Sequence, residues 1–111
     1  MTLTGVTFRA VSNAGNGTID NSTKMEFLQS DEHLEARYMG GSVATGHVIG
    51  KKKSESEATL LYHAVTVEGE IQAGKASAVF KMGADQKLRM YLNWQWLTGD
   101  QSSGTSEWEA I

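Results

Sequence analysis

The chain has no cysteine in its 111 residues, which excludes disulfides, thiolate metal sites and cysteine nucleophiles together. That absence fits a reducing compartment, and a cytoplasmic location is the expectation. Proline is absent as well, so every backbone N–H is available to a hydrogen-bond ladder. Positive charge is not in excess: ten basic residues against thirteen acidic ones leave a net charge of -3. The basic footprint of a nucleic-acid binder is therefore missing. The one basic run, Lys51-Lys52-Lys53, is followed at once by Glu55 and Glu57 and reads as a solvated turn. No apolar stretch approaches the ~20 residues of a membrane helix. Met1 to Val6 shows no basic region leading into an apolar run, so no signal peptide is read. Finally, no segment sustains a 3.6-residue period, which leaves no amphipathic helix of useful length.

What the chain does have is alternation. Leu88, Met90, Leu92, Trp94 and Trp96 fall on one period-two face, with Arg89, Tyr91, Asn93 and Gln95 on the other. A strand sends alternate side chains to opposite faces, so this stretch predicts one wall of a β core. Seven further segments behave alike. Val6, Phe8 and Ala10 alternate with Thr7, Arg9 and Val11 in a strand over 4–11, and Met25 and Phe27 mark one over 23–29. Leu34, Ala36 and Tyr38 mark a third, and 42–51 a fourth. Leu60, Tyr62 and Ala64 lie in a fifth over 58–67, and 70–81 forms a sixth with Gly74 in its middle. The tryptophan strand is seventh, and 105–111 is last, with Trp108 inward and Glu107 and Glu109 outward.

Twelve glycines sit mostly where turns or bulges are expected. Residues 12–17 form a turn cluster tolerant of positive φ. Gly40-Gly41 marks a bulge or tight corner, Glu68-Gly69 a tight turn, and 83–86 and 99–104 two more. The charged stretch 51–57 is a loop or a short helical turn.

At this length the chain makes one domain over 1–111 and buries roughly 65 % of its unfolded surface. Each strand has one apolar face that must be covered. With no helix to cover it, the sheet has to curl on itself, and eight strands close into a barrel that side chains can fill or that holds one small ligand. The expected fold is all-β: a single antiparallel up-and-down barrel of about eight strands, calycin-like, of broadly lipocalin- or avidin-like shape. Closure pairs the last strand with the first, which places Glu107 and Glu109 near Arg9.

Several segments together resemble a small bacterial family whose members are often labelled N-acetylglutamate synthase. They are Phe8-Arg9-Ala10-Val11-Ser12-Asn13, Tyr38-Met39-Gly40-Gly41-Ser42 and Gly46-His47-Val48-Ile49-Gly50-Lys51. Tyr62-His63, Glu68-Gly69-Glu70 with Gly74-Lys75, Leu88-Arg89, Trp94-Gln95-Trp96, Gly99-Asp100 and Ser106-Glu107-Trp108-Glu109 continue the match over nearly the whole chain. The resemblance implies a small β fold, and its label implies acetyl transfer. The chain has no strand, Gly-rich turn and helix unit of the kind that cradles a pyrophosphate.

Two readings of the aromatics stand side by side. Tyr38, Tyr62, Trp94, Trp96 and Trp108 either line a small-ligand pocket at one barrel end or simply fill the core. The best polar cluster is His63 with Glu68 and Glu70, where a carboxylate beside an imidazole suits acid–base work. Metal binding there would need His47 as a third ligand, and no metal site or cofactor is read. Arg9, Arg37 and Arg89 suit carboxylate or phosphate recognition, but parity turns each outward. No nucleophile-elbow motif is present, and Asp100, Ser102 and Ser103 read as turn residues. The leading expectation is a non-enzymatic barrel that binds a small molecule, with no nucleic-acid or membrane partner, as a monomer or homodimer. An acyltransferase acting through His63, Glu68 and Glu70, and a structural or interaction module, are the alternatives.

Overall fold

The structure, a computed structural model, describes residues 2–14 and 19–111. Eight strands follow in order: β1 Thr7–Ala14, β2 Lys24–Ser30, β3 His33–Gly40, β4 Val43–Lys52, β5 Glu57–Thr66, β6 Ile71–Met82, β7 Leu88–Trp96 and β8 Ser103–Ala110. Each pairs antiparallel with its sequence neighbours, and β8 returns to β1 to close the barrel. The predicted closure is thus observed. Arg9 pairs with Glu109 across that seam, whereas Glu107 turns to Arg89 at 3.9 Å. The seam also carries Arg89 to Asp85 at 2.9 Å and to Glu109 at 3.7 Å, so one ion-pair network ties β1, β8 and β7.

Alternation places the core as predicted. Phe8, Ala10, Phe27, Leu34, Ala36, Leu60, Met90 and Trp108 are all buried, while their strand neighbours face out. The stretch 53–56 is a bent loop and contains no helix, and strand β5 begins directly after it. Of the turn expected over 12–17, residues 12–14 belong instead to strand β1, which continues to Ala14, and 15–17 lie outside the described residues.

The two ends of the barrel differ. At the end where β1 begins, Phe8, Phe27 and Phe80 form a cluster with ring centroids 5.7, 6.3 and 6.4 Å apart. The segment before β1 folds across this end. Leu3 is fully buried, and the Gly5 N–H donates to the Phe27 carbonyl at 2.9 Å. This end is packed and capped. At the other end, Gly40 and Gly41 turn β3 into β4 with φ of 115° and 62°, the left-handed region that glycine enters without strain. Here the Thr23 hydroxyl donates to the Gly40 carbonyl at 3.1 Å and accepts from the Asp20 N–H at 3.0 Å. Thr23 is fully buried, so the chain entering β2 is locked to the β3–β4 corner.

Candidate functional site

The aromatic end holds a small cavity. It is lined by Tyr38 from β3, Tyr62 from β5, Trp94 and Trp96 from β7, and Trp108 and Ser106 from β8, with Asn13, Ile19, Met25 and Leu92 completing the wall. All three tryptophans of the chain stand here. The space left between them is about 40 Å³, room for roughly three waters.

Glycines in neighbouring strands make room for the tyrosines. Tyr38 stands opposite Gly46, and Tyr62 opposite Gly74. A Cβ on Gly46 would fall 2.5 Å from Tyr38 Cζ, and one on Gly74 would fall 2.5 Å from Tyr62 Cε2. Each ring therefore lies flat on the wall over a bare glycine backbone. The rings then meet edge to face: Tyr38 and Tyr62 at 6.4 Å, and Tyr62 and Trp96 at 5.8 Å. Trp94 and Trp96 are tilted at 5.9 Å. Offset and edge-on arrangements of this kind are the favoured aromatic geometries.

The polar groups of the site are neutral. The Trp94 indole N–H donates to Asn13 Oδ1 at 3.1 Å, and the Trp108 indole N–H donates to Ser106 Oγ at 3.0 Å. The Tyr62 hydroxyl donates to the Lys75 carbonyl over a long 3.4 Å. Burial, and to a lesser degree the neighbouring Tyr62, push the Tyr38 hydroxyl above the ordinary phenol range; burial does the same to Tyr62. Both are uncharged at neutral pH. Among the described residues, no Asp, Glu, Lys or Arg lines the cavity. Near the rim, Gln72 Oε1 and Ser102 Oγ are buried with no hydrogen-bond partner among the described residues, a state that costs about 1–3 kcal/mol per group unless something binds there.

All five expected aromatic residues, Tyr38, Tyr62, Trp94, Trp96 and Trp108, come together in this wall. The expected polar cluster does not assemble. His63 points outward from the middle of β5, opposite Ala73, and its ring stands 5.6 Å from that of His47. Glu68 and Glu70 sit exposed at the turn three and more residues beyond that pairing, and neither forms an ion pair with His63 among the described residues. The carboxylate nearest the histidines is Glu35, 3.8 Å from His47 Nε2. No group of three His, Asp or Glu side chains among the described residues is placed to hold a metal ion. Arg9 and Arg89 are engaged in the seam network, and Arg37 lies on the outer face.

Asn13, Ile19 and Ser106 complete the site without having been singled out from the sequence. The sequence places Asn13 in the turn over 12–17, but β1 runs on to Ala14 and carries a bulge between Ala10 and Ser12 that inserts one residue. The bulge reverses the parity that follows and turns Asn13 towards Trp94.

A family model described as Avidin-like protein matches residues 1–111. Comparisons with curated proteins and with solved structures return no match. The N-acetylglutamate synthase label receives no support from these comparisons, which favour a calycin-like barrel of the kind described above.

Proposed function

The chain belongs to the avidin-like protein family, and on that footing we propose that it is a non-enzymatic barrel that binds a small molecule at its aromatic end. The observation that carries this reading is the asymmetry of the barrel. One end is packed by a phenylalanine cluster and capped by Leu3. The other leaves a cavity walled by Tyr38, Tyr62, Trp94 and Trp96 with only neutral polar groups. Aromatic walls with a few convergent polar groups suit small ligands. A charge brought into this wall would find no partner and would lose its hydration.

The part of the ligand that enters is therefore uncharged, and flat enough to lie between rings. It displaces the few waters for which the cavity has room. Larger ligands require Trp96, the most exposed of the three tryptophans at 8 %, to swing at the rim. Gln72 Oε1 and Ser102 Oγ, which have no hydrogen-bond partner among the described residues, then offer hydrogen bonds to it.

The test is a titration followed by tryptophan emission, with the uncharged methyl ester of biotin as the first probe and a panel of neutral heterocycles beside it. Binding should change the emission of the wild type saturably and fail in Trp96→Ala. If every bound compound left the emission unchanged while calorimetry registered its binding, the site would lie elsewhere and this reading would fall.

A further inference from the structure

The alternation that turns Val48 and Ala64 into the core turns their neighbours His47 and His63 outward, side by side. The two histidines are direct partners in the ladder between β4 and β5, where opposed Cβ atoms lie about 4.5–5.5 Å apart. Their ring centroids are 5.6 Å apart. The register runs without a shift from Thr45 opposite Val65 to Lys52 opposite Ala58, so the pair stands on a fixed backbone. The flanking pairs on this face, Thr45 with Val65 and Ile49 with Leu61, carry no ionisable group. In the histidines' own row, Arg37 stands beside His47 and the small Ala73 beside His63. Glu35 reaches His47 from the next row, its Oε1 3.8 Å from Nε2.

We propose that His47 and His63 chelate one divalent late transition ion of the Zn²⁺, Ni²⁺ and Cu²⁺ class, with water completing its coordination. With metal–nitrogen bonds of ~2.0–2.1 Å, two imidazoles on one tetrahedral ion have centroids roughly 5 Å apart. The observed 5.6 Å is a small ring rotation away. Both rings have the freedom to make it, since His63 is exposed and the His47 side chain is 37 % exposed. Once one imidazole binds the ion, the fixed ladder holds the other at high effective concentration. Neutral nitrogen ligands favour these ions over Mg²⁺ and Ca²⁺, which take oxygen. Glu35 supplies the carboxylate that commonly holds the second ring nitrogen of a ligating histidine, and it offsets the charge of Arg37, which also faces Glu26 across β2 and β3. Two protein ligands with water in the open positions describe an exchangeable ion rather than a structural one. The site lies on the outer wall and uses none of the residues that line the aromatic cavity.

Calorimetric titration of the untagged chain with Zn²⁺ alone, in a buffer that does not bind metals, tests the proposal. One ion per chain should bind with a dissociation constant below about 100 μM, and about a hundredfold excess of Mg²⁺ should not displace it. His47→Gln and His63→Gln should each weaken binding at least about tenfold, because each breaks the chelate. His33→Gln removes the remaining histidine of the chain and should leave the affinity unchanged. In proton spectra the ring signals of His47 and His63 should shift together with Zn²⁺ while those of His33 stay in place. Binding weaker than about 100 μM would overturn the proposal. So would unchanged affinity in either His47→Gln or His63→Gln, an equal loss in His33→Gln, or one ion shared between two chains.

Discussion

Gly46→Ala is the smallest change that tests how the aromatic end is built. The added Cβ would lie 2.5 Å from Tyr38 Cζ and 2.7 Å from Cδ1, where carbon atoms in contact sit ~3.5–4 Å apart. The ring must therefore retreat by roughly 1 Å. It is almost fully buried and backed by Tyr62 at 6.4 Å, so its only escape is into the small cavity. Overpacking of this kind costs about 1–3 kcal/mol. In a Tyr38→Leu background the flat ring is gone, and the same substitution should instead stabilise by about 0.5–1 kcal/mol, because alanine loses less backbone entropy in a strand than glycine. The two effects differ in sign and imply a coupling of about 1.5–4 kcal/mol. Urea unfolding of the wild type, both single variants and the double variant measures it. An equal effect of Gly46→Ala in both backgrounds would refute the account of Tyr38 resting on bare backbone.

Thr23→Val keeps the shape of a fully buried side chain but removes the hydroxyl that joins Asp20 N–H to the Gly40 carbonyl; it should cost about 1–3 kcal/mol in urea unfolding. Phe27→Ala, at the packed end, should cost about 3–5 kcal/mol in the same assay while leaving tryptophan emission in place. At acid pH the Arg89 guanidinium beside Asp85 holds that carboxyl below its ordinary value. Its stabilisation is present above the unfolded value of about 3.9 and is lost as pH falls through the lower folded one, so Asp85→Asn should flatten the acid limb of stability against pH. At alkaline pH the signs reverse, because the folded values of Tyr38 and Tyr62 are raised. Stability is full below about pH 10, the unfolded phenol value, and declines above it. Phenolate absorbance from two of the three tyrosines should then appear only as the barrel unfolds.

Much of this architecture is legible in the sequence because period-two parity is a local property. The positions of Phe8, Phe27, Leu60, Trp94 and Trp108 follow from alternation alone, and closure follows from the lack of any covering helix. What parity cannot show is register. His63 and Glu70 look close across the Gly69 turn, yet pairing Val65 with Ile71 and His63 with Ala73 separates them along and across the wall. The single-residue bulge in β1 likewise flips Asn13 inward, a reversal that no composition signals. Glycine within a strand is ordinarily a weak point, and only the pairing shows that Gly46 and Gly74 each accommodate a tyrosine ring. The family resemblance draws on the same residues, among them Tyr38, Gly46, Tyr62, Gly74 and Trp96, which share one wall in the fold.

The central claim is that a neutral ligand enters among the tryptophans, and the indole N–H region of a nitrogen–proton correlation spectrum reads this directly. The chain contributes three indole signals, all from this end of the barrel. Screened against charged and uncharged fragments of matched size, the Trp94 and Trp96 signals should shift with uncharged fragments and stay fixed with charged ones. Gly46→Ala, which pushes Tyr38 into the cavity, should reduce those shifts. Fragments that bind while leaving both indoles unmoved, or charged fragments that shift them equally, would contradict the account.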